Sequence, residues 1–137
     1  MTIQKPTPNK SRHLQLQRRA SDKIDYNRER PTFCLRFIDR VYCISCCEQD
    51  DKAAFADTLV QMSKLTWNEL RQAHRHGIGS EKIERTAIKR PIPSHITEDV
   101  ALLAFRFSGK KSMVGYRMKE MFHIIWFDRD FTLYDHG

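Results

Sequence analysis

The chain has 137 residues, 40% of them hydrophobic and 30% charged, which suits one folded domain with a modest core and is too short for two. No apolar run approaches the roughly 20 residues of a membrane span, and the polar, basic N-terminus lacks the apolar segment of a secretory leader, so a cytoplasmic domain with no membrane partner is expected. The 24 Lys and Arg outnumber 17 Asp and Glu, for a net charge of +7, which points to nucleic acid or an acidic protein surface as partner.

The excess charge is concentrated at the start. Residues 1–30 hold eight basic and three acidic side chains, with little to bury, and read as a basic, disordered arm in which Arg18 and Arg19 could contact nucleic acid. Pro31 marks the boundary of a single domain over 31–137. That domain opens with a predicted β-hairpin: 32–38 and 41–47 are rich in Phe, Val, Ile, Tyr and Cys, and Asp39-Arg40 can make the turn. A helix over about 51–64 follows, capped by Asp50 or Asp51, with Phe55, Leu59 and Met62 on one stripe. Thr66-Trp67-Asn68-Glu69 is a capping box that starts a second helix. Residues 80–89 read as a third, short helix, broken by Pro91 and Pro93. The last third reads as an antiparallel meander, with strands over 100–107, 112–117 and 121–127 and a short edge strand at 131–134. The expectation is an α+β domain with an N-terminal β-hairpin, two or three helices, and a C-terminal meander packed on the helices.

Turns at Gly109-Lys110 and Lys119-Glu120 would put Arg106, Lys111, Met113, Gly115, Arg117 and Trp126 on one sheet face. Gly115 would then leave room between the two Arg side chains. Cations beside an aromatic on a sheet suit phosphate contact and base stacking. The alternative is that the two arginines snorkel at the edge of a second packed surface. His123, within Phe122-His123-Ile124-Ile125-Trp126, reads as a core histidine. His136, beside Tyr134 and Asp135, could transfer protons or belong to a frayed end. Cys34, Cys43, Cys46 and Cys47 include a Cys-x2-Cys-Cys run, but no second pair completes a zinc signature, so reduced strand cysteines and no metal are expected. There is no Walker loop, dinucleotide fingerprint, His-Glu-x-x-His or Gly-x-Ser-x-Gly, which excludes the common nucleotide-dependent, zincin and serine-hydrolase classes.

Two stretches carry a resemblance: 51–70, with LSKLTWNEL at the helix join, and 105–134, where MVGYR precedes FHIIWFDRDFTLY. Together they resemble the RelE/ParE-like superfamily of bacterial toxins, small basic α+β proteins whose helices are followed by a curved antiparallel sheet. In its ribonuclease branch, the resemblance implies, sheet cations hold the phosphate while a terminal Tyr, His or acid handles protons as the ribose 2′-hydroxyl attacks. Arg106 and Arg117 match the cations by position, and Tyr134 or His136 the proton handler. Lys111 stands at the rim and Trp126 offers a stacking surface. The implied function is that of the toxin of a toxin–antitoxin pair, an endoribonuclease that cleaves mRNA without metal or cofactor and is countered by a protein antitoxin. The alternatives are a non-catalytic nucleic-acid-binding or partner-binding protein of a mobile element, and a structural subunit that buries the same face.

Overall fold

A computed structural model describes residues 23–74 and 77–136. Arg18, Arg19 and the rest of 1–22 lie outside the described residues. One sheet of five strands organises the domain: β1 (Thr32–Cys34), β2 (Ser80–Ile83), β3 (Leu102–Ser108), β4 (Lys111–Met118) and β5 (Met121–Asp128), in the spatial order β1-β5-β4-β3-β2. β1 runs parallel to β5, and the other pairs are antiparallel. Two helices, α1 (Gln49–Met62) and α2 (Trp67–Gln72), complete an α+β domain. No helix of the described residues is long and apolar enough to cross a membrane.

The expected N-terminal hairpin does not form. β1 stops at Cys34, and residues 40–42 and 44–46 make 3₁₀ turns instead of a second strand. Local side-chain acceptors explain the difference. Cys34 Sγ accepts from Arg36 N, Asp39 Oδ1 from Val41 N, and Cys43 Sγ from Ser45 N, each two residues on. Such bonds offer the backbone a turn in place of a ladder. Asp39, expected in the hairpin turn, is held elsewhere: its N–H donates to Ile125 O at 2.8 Å, and its carboxylate takes a bidentate pair from Arg90 at 2.8 and 3.1 Å.

Both helices follow from their local sequence. Thr66 Oγ1 accepts from Glu69 N while Glu69 Oε1 accepts from Thr66 N at 2.9 Å, the reciprocal cap expected. Phe55 and Met62 of α1 and Trp67 and Leu70 of α2 are buried. The cap of α1 differs: Glu48 holds the N-cap position without a side-chain bond. Asp51 instead accepts from Ser108 Oγ at 2.7 Å and Lys111 Nζ at 2.8 Å, tying the helix to the β3–β4 hairpin.

The third helix is absent as well. Ser80–Ile83 pairs along the free edge of β3, from Ser80↔Phe105 to Ile83↔Leu102, so the neighbouring strand satisfies the backbone groups that a helix would satisfy internally. The meander is present, with Gly109 at φ +57° and Lys119 at φ +58° in its two turns. The edge strand at 131–134 is not: the Asp128 carboxylate accepts from Thr132 N and Leu133 N and wraps this segment back over the sheet.

Two bulges set the sheet faces. Between β3 and β4 the register shifts between Arg106 and Ser108; between β4 and β5 it shifts where Val114 meets Trp126 and Gly115 meets Ile124. Each extra residue turns the following side chains over. Phe105, Phe107, Met113, Phe122, Ile124 and Phe127 therefore share the helix-covered face. Leu102, Ala104, Val114, Tyr116, Ile125 and Trp126 share the other, under Phe37, Tyr42, Ile96, Leu133 and Tyr134.

Candidate functional site

The register aligns three polar residues at one end of the second face. Arg106 pairs with Ser112, and Ser112 with Asp128, so one row across β3, β4 and β5 reads Arg, Ser, Asp. Asp128 is fully buried, which an ionised carboxylate tolerates only with partners. It has three: Thr132 N at 2.8 Å, Leu133 N at 3.1 Å, and His136 Nε2 at 2.6 Å.

The segment after β5 closes over this row. Phe131 adopts φ +58°, a left-handed conformation that is costly for a bulky side chain. Beyond it Lys89 N donates to Leu133 O at 2.8 Å, Lys89 Nζ reaches Asp135 at 2.7 Å, and Tyr42 Oη meets Thr132 Oγ1 at 3.0 Å. His136 is thereby set between two rings, stacked on Tyr134 with centroids 4.0 Å apart and edge-on to Phe131 at 5.1 Å. His136 is exposed at its edge, whereas Tyr134 is buried. Burial pushes the Tyr134 phenol above its ordinary value, with the Ser112 hydroxyl and the Arg106 charge pulling against it. The phenol is therefore protonated at neutral pH. With Asp128 as acceptor, His136 Nε2 carries a proton and Nδ1 is the nitrogen left for exchange with a bound molecule. A half-buried guanidinium, an oriented imidazole and a protonated phenol can bind an anion and move a proton beside it.

Of the residues singled out from the sequence, the structure brings Arg106, Tyr134 and His136 together. Arg117 lies on the opposite face, its guanidinium 4.4 Å over the Trp67 ring and its Nε donating to Lys119 O at 2.6 Å. Lys111 is committed to the buried Asp51. Trp126 is fully buried on the second face and offers no surface for stacking. Gly115 does not separate arginines: a Cβ there would lie 1.8 Å from His123 O, so the close approach of β4 to the β5 bulge requires glycine. His123 stacks on Tyr116 at 4.6 Å, while its Nδ1 is buried without a hydrogen bond.

Sequence reasoning missed Asp128 and Ser112. Asp128 begins Asp128-Arg129-Asp130, which reads as an ordinary turn. The cue was its spacing from Thr132 and Leu133, whose N–H groups a preceding Asp can accept. Nothing local marks Ser112, which matters through its cross-strand partners. The cysteines are not arrayed on a hairpin face: Cys34 is on β1, Cys43 and Cys46 flank a turn, and Cys47 is buried. Among the described residues no three His, Cys, Asp or Glu side chains are grouped to hold a metal ion. Comparison with known proteins finds no matching family model, no matching curated protein and no matching solved structure.

Proposed function

We propose that the protein is an endoribonuclease, the toxin of a toxin–antitoxin pair, which cleaves mRNA by attack of a ribose 2′-hydroxyl on the adjacent phosphate. The observation that carries the proposal is the row Arg106–Ser112–Asp128 with His136 seated on its buried acid. Arg106 holds the phosphate and the negative charge that develops on it. His136 Nδ1 takes the proton of the attacking hydroxyl, with Asp128 fixing the ring's tautomer and direction. Tyr134 lies beneath the imidazole as a platform, its phenol turned towards Ser112 and Arg106. The nucleophile belongs to the substrate: as its 2′-oxygen bonds to phosphorus, the P–O5′ bond breaks and the leaving 5′-oxygen takes a proton from solvent water, so the chain has to place a base and a cation. The net positive charge favours a polyanionic substrate, and two helices followed by the antiparallel strands β2–β5 are in the order that the RelE/ParE-like resemblance implies.

The test is cleavage of an RNA oligonucleotide in the presence of a chelator. The expected products end in a 2′,3′-cyclic phosphate, and the all-deoxy oligonucleotide stays intact. His136→Ala should lower the rate about 10²–10⁴-fold at a temperature where the variant stays folded, its melt being lowered by the loss of a partner to the buried Asp128. Cleavage of the deoxy strand, or full activity in the His136 variant, would exclude the mechanism.

A second reading, binding of nucleic acid or a partner without cleavage, is favoured by the burial of Tyr134 and the several tethers on 132–135. On that reading Asp128–His136 is a latch for the chain end. Salt-dependent RNA binding with no cleavage, by the wild type and by His136→Ala alike, would support it.

A further inference from the structure

The cysteine run Cys43-Ile44-Ser45-Cys46 plays no part in the site above, yet it is arranged for chemistry of its own. Cys46 N donates to Cys43 O at 2.9 Å. A bond of this kind closes a four-residue turn and brings its end Cα atoms within about 7 Å, and a disulfide spans about 4.4–6.8 Å between Cα atoms. All four cysteines are free thiols, with Cys46 exposed and Cys43 half-buried. Their sulfurs make only weak contacts, Cys43 Sγ accepting from Ser45 N at 3.4 Å and Cys46 Sγ donating to Arg40 O at 3.5 Å. Joining them costs those two contacts and keeps the backbone bond that defines the turn. The remaining thiols are less suited. Cys47 is 6% exposed, and burial together with the nearby Asp51 carboxylate pushes its thiol up. Cys34 is on β1, outside this turn.

We propose that Cys43 and Cys46 are a redox pair that closes to an intramolecular disulfide by exchange with a low-molecular-weight disulfide such as oxidised glutathione. The exposed Cys46, as thiolate, attacks one sulfur of the small disulfide, breaks its S–S bond and expels one small thiolate, leaving a mixed disulfide on Cys46. Cys43, as thiolate, then attacks the Cys46 sulfur and expels the second. The two protons lost by the cysteines end on the two released thiols. The protein pair is oxidised and the small disulfide reduced. The inference is independent of the ribonuclease reading.

The test is incubation of the full-length, reduced protein with oxidised glutathione, followed by alkylation of the remaining thiols and fragmentation of the peptide 41–52. The expected result is loss of two of the four thiols, a Cys43–Cys46 link within one chain, and full recovery on reduction. Cys47→Ala should close the same link. Cys43→Ser should stop at a stable glutathione adduct on Cys46, because the resolving sulfur is gone. Four alkylatable thiols in excess oxidant would overturn the proposal. So would a stable adduct on wild-type Cys46, a Cys46–Cys47 link, or a disulfide joining two chains.

Discussion

The Asp128 carboxylate holds the segment that follows β5. It turns 131–134 away from a strand, brings Tyr134 over Ser112 and fixes His136. Asp128→Asn keeps one acceptor oxygen for the backbone but offers an amide where His136 Nε2 needs a charged acceptor. It should cost about 1–3 kcal/mol of stability and change the tautomer of His136. Thermal melts and the nitrogen shifts of the His136 ring would report the two effects. Gly115→Ala places a methyl against the His123 carbonyl and should destabilise by about 1–3 kcal/mol through backbone displacement, read as a lower denaturation midpoint at an unchanged slope.

His123 provides a pH prediction. Burial, and then the nearby His95, hold its pKa below the ordinary value. The unfolded chain takes up this proton near pH 6.5 while the folded one does not, so stability is present above that value and declines as pH falls towards the folded pKa. His123→Gln should remove that part of the decline between pH 7 and 5; an identical pH profile in the variant would refute the assignment. At this scale the sequence was informative about reactive groups and silent about their supports. Tyr134, His136 and Arg106 can be named from residue type and position. Asp128 and Ser112 owe their roles to cross-strand neighbours that no local pattern reveals.

Elements were legible where their causes are local. The capping box of α2 and the turns at Gly109 and Lys119 depend on a few consecutive residues, and they form where the pattern places them. The bulges depend on distant groups. Thr58 Oγ1 donates to Phe107 O, and Ser108 Oγ to Asp51, on the helix side of the first. Asp39 N takes Ile125 O at the second. Each bulge moves later side chains to the other face, and the first, between β3 and β4, is why Arg106 and Arg117 are separated although an unbroken ladder would align them. The hairpin ahead of α1 is the exception: its cause is local, with Cys34, Asp39 and Cys43 each accepting from the N–H two residues on, but a β-rich composition hides it. A prediction follows for α1. Asp51 is held below the usual carboxylate range by hydrogen bonds from Lys111 and Ser108, so its contribution is present above about pH 4 and is lost as pH falls through its lower folded value. Lys111→Ala, which leaves the buried Asp51 without its cation, should cost about 1–3 kcal/mol at pH 7 and less in acid. Lost RNA binding with unchanged stability would instead assign Lys111 to the nucleic-acid surface.

At the scale of the molecule, the sheet separates two tasks. Its first face buries aromatic rings under α1 and α2, with Arg117 laid over Trp67 at the edge. Its second face carries the polar row, closed by the chain end and braced by the connection through Lys89 and Arg90. The two helices ahead of the meander were legible in the sequence; the assignment of cations to faces was not, because it depends on the single-residue shift between Arg106 and Ser108. The most direct measurement is RNA cleavage by Arg106→Ala and Arg117→Ala, assayed side by side with their thermal melts. The Arg106 variant should lose about 10²–10³-fold in rate with little change in stability. The Arg117 variant should cleave at nearly the wild-type rate and melt at a lower temperature. The reverse pattern, activity lost with Arg117 and kept without Arg106, would contradict it.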